Sequence, residues 1–187
     1  INLPSSITKI CDGVFSGCES LEEITIPSSV KSIGSNSFLG CKSLKSITMS
    51  PSLSTIGSNA FNGCEQLRNI YVTISENKNT NNSNTNSYYF CYSTYNYYGN
   101  NNNNNTIGEY AFKSCLSLIQ FDISTDTISV DKYAFCYCSS LVQVSIPSSV
   151  KEIKEGSFFG CTKLKDVELP KSIKSINFRA FYSCQSI

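Results

Sequence analysis

The chain has 187 residues, enough for one domain. Its 15 Lys and Arg against 14 Asp and Glu leave a net charge of +1, which argues against nucleic acid or an anionic membrane as the main partner. It has no histidine and no apolar run near 18 residues, so His-based catalytic and zinc sites and a bilayer-spanning helix are excluded from it.

Residues 1–14 form the second half of a unit, Leu3-Pro4-Ser-Ser-Ile7 and Ile10, and from Phe15 one pattern is copied down the chain. Phe recurs at 15, 38, 61, 112, 135, 158 and 181, in steps of 23 residues with a single step of 51. A Cys follows each Phe by three, from Cys18 to Cys184, and a Leu follows all but the last of these Cys by three. A fixed period in this range is the signature of a solenoid, in which each unit buries its apolar face only against its neighbours. In Leu21-Glu-Glu-Ile24-Thr-Ile26 the alternation of apolar residues predicts a short half-buried strand, and Pro27 ends it by removing a backbone donor. Val30 and Ile33 form an apolar pair on the return path. Gly34, Gly57 and Gly108 follow that pair and are expected at positive φ, where Asp131 and Asn177 are tolerated and Lys154 is the exception. The Phe-to-Cys segment is too short for a stable helix and reads as a tight helical or 3₁₀ turn.

Seven of the ten cysteines form one column. Small buried thiols filling a tight corner explain it better than disulfides between rungs, because stacked side chains point in parallel and an odd column leaves one thiol over. Cys136 and Cys138 are the only close pair, a poor zinc site, and Cys91 is the expected exposed thiol. In the 38–60 unit Pro51 sits one place later than Pro27 would predict, so a longer strand is expected there.

The third full unit departs after Val72. The insert at about 75–106 holds 13 Asn and six Tyr, lacks aliphatic residues beyond its margin and cannot build a core. The expectations are disorder, folding back onto the solenoid flank, or a Tyr-rich contact loop; a degenerate repeat is the alternative, since 51 is two periods plus five, but no Phe-x-x-Cys appears near position 84. Asn81 and Asn104 fit the N-glycosylation acceptor, a weak signal in an Asn-rich tract. Regular units resume at Ile107 and run to Phe181, and both ends cut through a repeat, as expected of a piece of a longer array.

The residues 21–41, Leu-x-x-Ile-x-Ile-Pro-Ser-Ser-Val-x-x-Ile-Gly-x-x-x-Phe-x-Gly-Cys, resemble the BspA-like class of leucine-rich repeats. The resemblance covers everything except the insert. It implies a leucine-rich-repeat solenoid, a right-handed coil of 23-residue units with a parallel β-sheet on one face and short strands and 3₁₀ turns elsewhere. It further implies a cell-surface or extracellular protein linked to adhesion and host-protein binding, with no catalytic residue to carry over.

The outward strand positions define the candidate partner-binding residues: Glu23, Thr25, Ser46, Thr48, Asn69, Tyr71, Gln120, Asp122, Gln143, Ser145, Asp166 and Glu168. On a continuous sheet they form two columns, and Tyr71 is the one large aromatic among them, the residue type that anchors interfaces. Asp166 and Glu168 alternate on one strand at roughly 6.5 Å, a separation glycosidases use, but an open sheet offers no enclosing pocket and other units hold unrelated residues there. The expected function is therefore non-enzymatic, without cofactor or metal: binding a protein or glycan of another cell, with anchor and signal outside this chain. An intracellular scaffold and a structural spacer are the alternatives.

Overall fold

The computed structural model describes residues 1–50, 52–73, 88–90 and 105–187. They contain no helix. Before and within the insert lie β1 (Lys9–Ile10), β2 (Glu23–Thr25), β3 (Ser32–Ile33), β4 (Ser46–Met49), β5 (Thr55–Ile56), β6 (Asn69–Thr73) and β7 (Tyr88–Phe90). After it come β8 (Thr106–Ile107), β9 (Gln120–Asp122), β10 (Ser129–Val130), β11 (Gln143–Ser145), β12 (Glu152–Ile153), β13 (Asp166–Glu168) and β14 (Ser175–Ile176). Strand β4 has four residues against three in β2, as the shift of Pro51 predicts.

The strands stack as a solenoid of parallel ladders. Front strands β2, β4 and β6 pair in register, with Ile24, Ile47 and Ile70 side by side. Return strands β1, β3, β5, β8 and β10 form a second sheet, aligning Ile10, Ile33, Ile56, Ile107 and Val130. Strands β9, β11 and β13 form the second front sheet, and β12 pairs with β14.

The corners are held by side-chain columns. The Phe rings stack from Phe15 to Phe38 to Phe61 to Phe112, each pair with centroids 5.1 Å apart, and on through Phe135 and Phe158 to Phe181. From Cys41 on, each ladder thiol donates to the carbonyl of the Phe one rung back: Cys41 Sγ to Phe15 O at 3.0 Å, Cys64 to Phe38 at 3.1 Å, Cys115 to Phe61 at 3.2 Å, and likewise Cys138, Cys161 and Cys184. The cysteines of the described residues are all free thiols. A buried S–H that finds an acceptor meets the requirement that a desolvated polar group be paired, and this explains why Cys rather than Ala repeats here.

Three expectations are corrected. The Phe-to-Cys corner is neither helical nor 3₁₀. Its i to i+3 bonds, such as Cys41 N to Phe38 O, are interleaved with left-handed residues, Asn36 at φ 56° and Gly40 at φ 69°, which break any helix. Gly34, Gly57 and Gly108 are not in the left-handed region. They are glycine because rungs approach closely, and a Cβ at Gly57 would lie 2.6 Å from Ser35 N and 2.7 Å from Gly34 C. No positive φ is required there, so the later rungs carry Asp131, Lys154 and Asn177 at the same place, and the Lys154 ammonium pairs with Asp131 of the rung before. The front sheet is not continuous, because the ladder stops between β6 and β9. On β6 the edge away from β4 carries β7, antiparallel, with Tyr71 opposite Phe90. Part of the insert is therefore a strand folded onto the solenoid, while Cys91, Asn81 and Asn104 lie outside the described residues. The solenoid is regular again by Thr106.

Candidate protein-interaction surface

Strand pleating turns alternate side chains outward, and register then places like positions side by side. Glu23, Ser46 and Asn69 form one row, and Thr25, Thr48 and Tyr71 the next. Beyond the break, Gln120, Gln143 and Asp166 form a row beside Asp122, Ser145 and Glu168. The two columns expected from the sequence are present, split into two blocks of three. Glu23, Thr25, Gln143, Asp166 and Glu168 are exposed, and Ser46, Asn69, Tyr71, Gln120, Asp122 and Ser145 are half-buried. Thr48 departs from the outward expectation: it is 8% exposed, closed in where Thr25 and Tyr71 flank it. Burial pushes the Asp122 carboxyl up, opposed by the Gln120 amide 3.5 Å away.

A groove of about 770 Å³ runs across the front, and only Glu23, Ser46, Asn69 and Tyr71 of the candidate residues line it. Its other walls come from the positions just before and after each repeat Leu: Gln66, Ser117, Ser140 and Lys163 on one side, Lys45, Arg68, Ile119 and Val142 on the other. Those residues were missed because they lie outside the strand alternation. Reading each repeat position down its column, rather than along the chain, would have found them.

On the opposite flank, a second groove of about 570 Å³ is lined by Glu109, Asp131, Lys132, Glu152, Lys154, Glu155, Asn177 and Phe178. There the Tyr133 hydroxyl donates to Glu155 Oε1 at 2.7 Å, and Lys132 reaches the other oxygen at 3.3 Å. Both contacts, the Tyr133 bond first, hold the Glu155 carboxyl below the ordinary range. Neither groove includes Asp166 or Glu168. Among the described residues no group of His, Cys, Asp and Glu could hold a metal ion, and no helix is long and apolar enough to cross a membrane.

The fold has solved relatives. A leucine-rich repeat protein of T. pallidum is similar at 27% identity and TM-score 0.77, over 99% of this chain and 76% of that one. A leucine rich cell surface protein of Faecalibacterium prausnitzii A2-165 is similar at 28% identity and TM-score 0.51, over 99% of this chain and 51% of that one. The pneumococcal vaccine antigen PcpA shares the fold at 16% identity and TM-score 0.52, over 85% of this chain and 37% of that one. No protein of curated function matches the sequence. The BspA type leucine rich repeat region matches in six copies, over residues 1–104 and 81–187. The repeat columns seen in the sequence, the parallel rungs and these matches agree, and the chain belongs to the BspA type leucine-rich repeat family.

Proposed function

We propose that this chain is a non-enzymatic interaction segment of a cell-surface protein, and that it binds a protein of a host or neighbouring cell through its front strands. The carrying observation is the register of the outward rows, which fixes polar side chains of successive rungs side by side on a rigid support. The similarity to a leucine rich cell surface protein of Faecalibacterium prausnitzii supports the location. An open, polar face with a half-buried Tyr71 suits protein contact, because Tyr buries large area at little entropic cost.

The test is saturable binding of the purified chain to proteins extracted from cell surfaces, by pull-down and then by titration. Tyr71→Ala is expected to weaken the captured interaction by about tenfold or more. Absence of saturable capture would sink the reading, and unchanged affinity in the variant would remove Tyr71 from it. An intracellular scaffold using the same face is the second reading. It draws on the free thiols, since reducing compartments keep thiols reduced, and the location of the chain in its own cells decides between the two.

A further inference from the structure

We propose that the groove on the front face takes an extended peptide segment of a protein partner, with apolar side chains at its centre and carboxylates toward its ends. This rests on the interaction reading above and names the chemistry that the face recognises.

The first observation is a change of residue type down two columns. The position after each repeat Leu runs Glu22, Lys45, Arg68, Ile119, Val142, Lys165. The position two before it runs Glu19, Lys42, Glu65, Leu116, Ser139, Thr162. Both columns are charged in the early rungs and both turn apolar at the same rung, the one that opens the second front sheet. Leu116 is 41% exposed and Ile119 is 37% exposed, so neither serves the core. Rung contact is maintained beneath them, with Ser117 N donating to Glu65 O at 3.1 Å and Val142 N to Ile119 O at 2.8 Å. Single exposed apolar residues such as Leu116 are ordinary, but Ile119 and Val142, consecutive in a column otherwise charged and both lining the groove, mark a contact surface.

The second observation is the charge around this patch. The groove walls carry Lys45, Arg68 and Lys163 against one carboxylate, Glu23. Lys45 is already paired with Glu22 at 2.8 Å. Arg68 and Lys163 have no carboxylate partner among the described residues, and they stand on either side of Ile119 and Val142 in rung order. Ser117 and Ser140 keep the floor low between them. Rungs about 4.8 Å apart place the Arg68 rung and the Lys163 rung roughly 15 Å apart, which an extended peptide spans with about four or five residues. The complementary segment is therefore acidic, apolar, acidic. Arg68 suits the bidentate grip on a carboxylate, Lys163 a point contact.

The test uses the full chain and two fluorescein-labelled hexapeptides, both with alternating Leu and Ser at the centre, one ending in Asp at each side and the other in Lys, so that the end charges stand about 16 Å apart when extended. Fluorescence anisotropy should show saturable binding of the Asp-ended peptide, weakening about tenfold between low and physiological salt. The double variant R68E/K163E should reverse the preference toward the Lys-ended peptide, and Ile119→Ser should weaken both. All three changes are on the surface, and unchanged thermal unfolding confirms that each variant is folded. Equal affinity for the two peptides, or a preference that R68E/K163E leaves in place, would overturn the proposal. So would heparin binding that depends on Arg68 while neither peptide binds, because the site would then read sulfated glycans. Cell-surface capture retained in R68E/K163E would reject this groove and leave the interaction reading standing. Peptide binding without any capture would do the reverse.

Discussion

The corner and the front face meet the same interruption and respond differently. At the corner, Phe61 and Phe112 are 51 residues apart in sequence, yet their rings stack at 5.1 Å, the same distance as Phe38 and Phe61. Cys115 reaches the Phe61 carbonyl at 3.2 Å just as Cys64 reaches Phe38, and β8 pairs with β5 as β5 pairs with β3. On the front face the ladder ends at β6, whose outer edge takes β7 instead of β9. Corner columns and return strands therefore hold the register, while the front carries variation. Loop closure explains the tolerance, because its entropic cost grows only slowly with length.

The largest way to break the comparison is to charge the corner. Burial pushes the Cys115, Cys138 and Cys161 thiols well above their ordinary range, and raises Cys136 to about 11. An unfolded thiol ionises near ~8.5. Above that pH the unfolded chain releases protons that the folded column keeps, so stability falls as pH rises, and it is fully present below. Each thiol contributes up to about 1.4 kcal/mol per pH unit, and Cys115, Cys138 and Cys161 together about 4 kcal/mol per unit. Urea midpoints at pH 7.5 and pH 10 should differ steeply, and much less in a triple Cys→Ser variant. Equal midpoints would show that the thiols are not what holds the corner closed.

Removing one ring is the next largest step. Phe112 contacts Phe61, Phe135 and Phe121 and is fully buried, so Phe112→Ala should cost about 3–5 kcal/mol. Phe15, 8% exposed and stacked on Phe38, should cost about half as much. Denaturant unfolding of the two variants measures the difference. Equal losses would mean that the column does not bridge the interruption.

The corner was legible because seven copies of Phe-x-x-Cys leave little else to explain them. Side-chain columns depend on spacing alone, and spacing is what a sequence carries. Backbone conformation is less visible. Tyr110, Tyr133, Tyr137 and Arg179 occupy left-handed positions that Gly or Asn fill in the early rungs, so residue type does not reveal them. Gly57 signalled a special place, but close packing of rungs and positive φ select the same residue. At the surface, the outward rows followed from alternation. The burial of Thr48 did not, since it depends on its flanking strands, and the groove did not, since it crosses a break that only pairing defines.

The smallest effect tests what the front does at its break. The inward front column runs Ile24, Ile47, Ile70, then Phe121, Val144 and Val167. The one aromatic comes directly after the interruption, tilted between Phe112 and Phe135 at 4.8 and 5.0 Å. Where a sheet ladder is lost, a larger side chain can reach the corner stack and close the core without it. Phe121→Ile should then cost about 1–2 kcal/mol through lost ring contacts and unfilled volume. The reverse change at an unbroken rung, Ile47→Phe, should cost about 1–3 kcal/mol through overpacking. A neutral Phe121→Ile would mean that the core on the two sides of the break is the same, and the contrast between corner and front would then be confined to the backbone.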